Sequence, residues 1–186
     1  MRSPFRTPLL ALAMLAALTA SATAQQAPTV IADLRADIEE VEKKITDLAR
    51  AIPEDKYSWR PAAGVRSIGE VLMHVAADNY LIPAAIGYSA DPSTGIKGDD
   101  YKTALAYEQR KVSRDAAIAE MEKSFAHLKK AMQATTPERL SQKVQMFGQS
   151  FTMQQTWILA TTHLHEHLGQ AIAYARSNNV VPPWSQ

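Results

Sequence analysis

The sequence predicts an all-α protein: a four-helix bundle in which one connection is a long crossover. Three observations carry that expectation. Apolar residues recur at helical spacing in four separate stretches, Pro- and Gly-containing segments divide those stretches, and no strand-period alternation of any length is found. No internal repeat is present either.

The first helix is the clearest, over residues 28–52. Ile31, Leu34, Ile38, Val41, Ile45, Leu48 and Ile52 alternate in steps of three and four, with Arg35, Asp37, Glu39, Glu40, Lys43 and Lys44 between them. Pro53 ends it. The second helix opens at Ser67, with Glu70 three residues on to complete a capping box, and is expected to stop before Pro83. Residues 83–100 read as a long surface connection with a short helical turn at its start. The third helix is expected over Tyr101–Ala134, bent near Ser113, with a core stripe of Ile118, Met121, Phe125, Leu128 and Met132. Thr136-Pro137-Glu138 starts a turn, and SQKVQMFGQSF reads as a loop or a brief extended piece. The last helix opens at Thr152, with Gln155 as its capping-box partner, and runs to about Ser177 before Asn178 and Asn179.

Ahead of these lies a leader. Residues 1–24 carry Arg2 and Arg6, an apolar run from about Leu9 to Leu18, and a terminal Ala22-Thr23-Ala24 that suits signal peptidase. The apolar run is too short for a stable membrane span, so a cleaved secretory signal and a secreted or periplasmic protein are expected, with residues 25–186 forming one domain. Cleavage removes two basic residues and no acids, leaving 18 basic against 19 acidic side chains. That balance gives no reason to expect nucleic acid or stable membrane insertion. The chain has no cysteine, so packing alone must stabilise it, and any metal must be held by nitrogen and oxygen donors.

Five histidines occur in the chain, and three fall within HLHEH, residues 163–167. At about 100° per residue, His163 and His167 share one face of the last helix, along the edge of the Met153, Trp157, Leu164, Leu168 and Ala171 stripe. His165 points to the opposite side. Two imidazoles at i and i+4 seldom hold a metal tightly, so a third ligand should come from another helix. His74, between Val71 and Val75 of the second helix, is the candidate; His127 stands with Lys123 and Lys130 on what reads as a solvated face. Three neutral imidazoles leave coordination positions open, as in catalytic rather than closed sites, and favour zinc or nickel. The zinc-protease motif HExxH is excluded, because Gly169 stands where its second histidine belongs.

The segments WRPAAGVRSIGEVLMHVAADN (59–79) and HLHEHLGQAIAYARSNNVVPP (163–183) resemble the DinB-like (YfiT-type) family of four-helix bundles. The resemblance implies that His74, His163 and His167 bind a divalent metal, since they match a histidine in the family's second helix and an HxxxH pair in its last. His167-Leu168-Gly169-Gln170 matches a short HRGQ-like stretch, except that Leu168 replaces the arginine many members have. Family members are often dimers, so a homodimer is implied too. Those with assigned chemistry include metal-dependent thiol transferases, isomerases and hydrolases.

Two further residues are candidates. Asp78 lies one turn beyond His74 and is open to three roles: fourth ligand, general base, or partner of an imidazole N–H. An ordinary helix-end carboxylate is the plain alternative. Gln170 shares the histidine face, where contact with substrate or water and simple packing are both open. Trp59 and Arg60 read as structural, Glu166 as a surface residue, and Tyr80 and Tyr174 as either pocket or core. The expected function is a metal-dependent hydrolase or thiol transferase acting on a small molecule. The competing readings are a non-catalytic bundle that carries a metal or small ligand, and a structural bundle without one.

Overall fold

Five α-helices and one β-hairpin make up residues 29–185, the part of the chain described by the computed structural model. The expected leader lies outside the described residues. Helix α1 covers Val30–Ala51, α2 Ile68–Ala85, α3 Tyr101–Glu108, α4 Arg114–Gln133 and α5 Met153–Ser177. Each long helix begins where its cap residue places it. Thr29 Oγ1 accepts from Ala32 N at 3.2 Å, and Ser67–Glu70 and Thr152–Gln155 both form complete capping boxes.

The bundle is formed by α1, α2, α4 and α5. Helix α1 packs on α4 and α5, and α2 packs on the same two from the other side. The apolar stripe of α1 therefore meets a core that includes Met121, Phe125, Leu128 and Trp157, all fully buried. Helix α2 is different. It also carries α3 against it, so it is buried on nearly every face and shows little amphipathic contrast. Polar residues on such a helix need partners, and Asn79 finds one, donating to Ser124 Oγ at 3.1 Å.

Two parts of the structure depart from the sequence-based reading, and a third sharpens it. Helix α2 does not stop before Pro83 but continues through it to Ala85. Pro83 sits in the last turn, so the only ladder bond it forfeits is the one its missing N–H would give to Asn79. The expected bent helix over 101–134 is two helices, α3 and α4, separated by residues 109–113, with Ser113 as the N-cap of α4 and its Oγ accepting from Ala116 N. Lastly, Lys143–Met146 and Gln149–Thr152 pair as an antiparallel hairpin. Its two-residue turn has positive φ at both Phe147 (55°) and Gly148 (74°), as a primed turn demands.

The long connection runs from α2 to α4 and contains α3. It is more than a surface strap, because Ile86, Ala90 and Ile96 are buried. Gly98 brings it hard against the end of α2: a Cβ at that position would stand 2.3 Å from Ala84 C and O. This closure is what sets α3 on α2. Among the described residues, no helix is long and apolar enough to cross a membrane.

Candidate metal centre

His74 comes from the middle of α2, and His163 and His167 from adjacent turns of α5. The α2–α5 contact brings them together. Their ring centroids are 5.2 Å (74–163), 4.5 Å (74–167) and 4.4 Å (163–167) apart, and every pair meets edge to face. One ring nitrogen from each lies within 4.8 Å of the other two. Ligand nitrogens around a tetrahedral divalent cation stand about 3.4 Å apart, so small ring rotations separate this arrangement from a coordination shell. The three imidazoles can hold a metal ion.

The outer nitrogens are already engaged. His74 Nδ1 is 2.9 Å from Glu108 Oε2, and His167 Nδ1 is 2.8 Å from Gln170 Oε1. Carboxylate and amide oxygens only accept, so each neutral ring keeps its proton on Nδ1 and turns a bare Nε2 inward. Burial, the largest influence on His167, pushes its pKa down to about 4, against the smaller opposing pull of Gln170. The ring is therefore neutral near pH 7, the state a ligand requires.

Asp78 also reaches the centre. Its Oδ2 stands 2.8 Å from His163 Nε2 and 3.5 Å from His74 Nε2. The shorter approach is close but is not a hydrogen bond, for His163 Nε2 is buried with no hydrogen-bond partner among the described residues. An unpaired polar nitrogen in a packed interior is costly. A cation at the point the three rings share would satisfy it, and this is the observation that fits the donor set to a metal. His74 and His167 are buried, and His163 keeps its Nε2 buried although 23% of its side chain is exposed.

Both polar atoms of Gln170 are engaged: its Oε1 faces His167 and its Nε2 donates to Tyr174 Oη at 3.0 Å. Tyr174 is buried and packs edge-on against Trp59. Arg60 donates to Val65 O and Glu70, away from the histidines. His165 points outward and meets Asp37 of α1 at 2.8 Å. His127 does not lie on a solvated face. It is half-buried beside the Tyr80 ring, 5.3 Å away, because Lys123 and Lys130 extend to solvent past it. Leu168 points into the core instead of toward solvent.

Two residues at the centre were not among the sequence-based candidates. Glu108, the last residue of α3, faces His74, and Arg66 grips Glu108 through Nε to Oε1 and through Nη2 to Oε2 at 3.1 Å. Burial raises the Glu108 pKa, but hydrogen bonds from His74 and Arg66 and the Arg66 charge outweigh it and hold the carboxyl at about 2.

The DinB superfamily model matches residues 37–171, a span that contains all three histidines, Asp78 and Glu108. A DinB-like protein from Bacillus cereus is similar in structure, with a TM-score of 0.66 at 16% identity, over 81% of this chain and 93% of its own. A DinB-like protein from Bacillus subtilis is similar with a TM-score of 0.58 at 20% identity, over 83% of this chain and 98% of its own. At these identities the likeness is one of fold. No curated protein matches the chain.

Proposed function

The chain belongs to the DinB superfamily, and we propose that it is an exported metalloprotein whose histidines hold one divalent cation for hydrolysis or thiol transfer on a small molecule. The buried Nε2 of His163, which makes no hydrogen bond among the described residues, carries this reading, together with the approach of one ring nitrogen from each of the three histidines to within 4.8 Å of the others. Three neutral nitrogen donors and the absence of cysteine suit zinc or nickel. When bound, such a cation lowers the pKa of a water or thiol brought beside it.

The protein's own groups supply the rest. His74 and His167 hold their protons on Nδ1, away from the centre. Asp78 Oδ2, within 3.5 Å of two Nε2 atoms, is placed to accept the proton that an incoming nucleophile gives up. The part-exposed side chain of His163 is the side from which a substrate would approach. A thiol, if one is used, must arrive on a small molecule. The nearness of Asp78 also supports a second reading, in which its carboxylate serves as a fourth ligand and the protein carries metal without turnover.

Asp78→Asn separates the two. Under the catalytic reading the variant retains its metal but loses turnover in an esterase and thiol-transfer screen; under the carrier reading it loses metal affinity. Export is tested by the mass of the protein recovered outside the cytoplasm, which should begin at Gln25.

A further inference from the structure

The structure assigns Glu108, braced by Arg66, as the positioning residue that presents Nε2 of His74 to the centre. This rests on the metal reading above. His74 is the solitary ligand of its helix. The α5 pair is held in mutual register by a single helical turn, whereas within α2 Asp78 Oδ2 stands 3.5 Å from His74 Nε2 without making a hydrogen bond, farther than Glu108 stands from Nδ1. The contact with Glu108 settles which way the His74 ring faces and which nitrogen bears its proton, since a carboxylate at 2.9 Å from Nδ1 can only accept. A charged acceptor also makes Nε2 a better donor to a cation than a neutral one would.

Glu108 needs its own support. Its carboxylate is nearly buried, and a buried charge is held only when paired and hydrogen-bonded. Arg66, one residue before the cap of α2, takes both of its oxygens in a two-pronged grip. The break at residues 109–113 has a use in this arrangement: it lets α3 pack on α2 independently of α4 and ends α3 at the residue that meets His74.

The test uses the full chain purified without a histidine tag. Zinc affinity is measured by chelator competition for wild type, Glu108→Ala, Glu108→Gln and Arg66→Gln, with the tautomer of His74 read from imidazole ¹⁵N shifts in metal-free protein. Glu108→Ala should bind zinc roughly 10- to 100-fold more weakly and lose the single Nδ1–H tautomer. Glu108→Gln keeps an acceptor oxygen without the charge, so it should keep the tautomer and lose a smaller part of the affinity. Arg66→Gln should fall in the same direction as Glu108→Gln. If Glu108→Ala does not fold, the Gln variant decides, and unchanged affinity in it overturns the assignment. Weaker zinc binding with the His74 tautomer unchanged in Glu108→Ala overturns it as well. Unchanged variants beside a zinc-binding wild type remove this inference alone, while a wild type that takes up no zinc removes the metal reading with it.

Discussion

On the α5 side of the centre, His163 and His167 stand together because they lie four positions apart on one helix, and a neutral amide, Gln170, backs the buried member. On the α2 side, His74 stands alone and is backed by a charged carboxylate from another helix, itself held by an arginine from a third segment. The first side is local and needs only that α5 form. The second depends on three segments meeting, and its parts are 34 and 42 residues apart in sequence. A ligand set assembled this way couples metal binding to the packing of α3 on α2, not to the bundle alone.

Removing a ligand from either side should have the largest effect. His74→Ala and His167→Ala are both expected to abolish stoichiometric zinc binding, measured by equilibrium dialysis. Retention by His74→Ala would show that the α5 pair suffices and that the comparison is misdrawn. Gly98→Ala comes next, and it should bear on the α2 side. Its new Cβ overlaps the Ala84 carbonyl, so overpacking should cost about 1–3 kcal/mol in chemical denaturation and loosen α3. Zinc affinity should drop with it, as it would not if α3 were irrelevant to the site.

A smaller effect is expected from Gln170→Leu. It removes a neutral acceptor worth about 0.5–1.5 kcal/mol, or roughly 2- to 12-fold in zinc affinity, less than the loss expected for Glu108→Ala. A larger loss from Gln170→Leu would reverse the ranking of the two sides. A separate test is the pH signature of the metal-free protein. His167 is depressed from 6.5 to about 4, so its contribution to stability is present above pH 6.5 and is lost as pH falls toward 4. Glu108 is depressed from 4.5 to about 2, so its contribution persists to lower pH and is lost between those values. Urea midpoints for His167→Gln should flatten the upper window, and those for Glu108→Gln the lower.

The same contrast explains what could be read from the chain. Capping boxes, the α1 and α5 stripes and the i, i+4 pair are consequences of spacing within about one turn, and they stand in the structure where the spacing put them. His74 could be singled out only by its apolar neighbours. Glu108 and Arg66 gave no signal, because an acid and a base in unconnected segments look like ordinary surface charges until α3 is known to fold back on α2. The break that makes this possible is weakly marked: Gln109-Arg110-Lys111-Val112 contains neither Pro nor Gly, and Ser113 alone announces the start of α4. The extended piece was legible, but not its pairing as a hairpin. Its turn places Phe147, not the usual Asn, at a left-handed position, so the strongest short-range turn signal is missing. Pro83 misled in the other direction, since a proline in a last turn interrupts little.

The measurement that bears most directly on the central claim is the metal content of tag-free protein, wild type beside His167→Ala, by inductively coupled plasma mass spectrometry. Convergence of the three imidazoles on one cation predicts about one equivalent of a divalent metal in the wild type and close to none in the variant. Equal, near-zero metal in both, even after incubation with zinc and nickel, would contradict it.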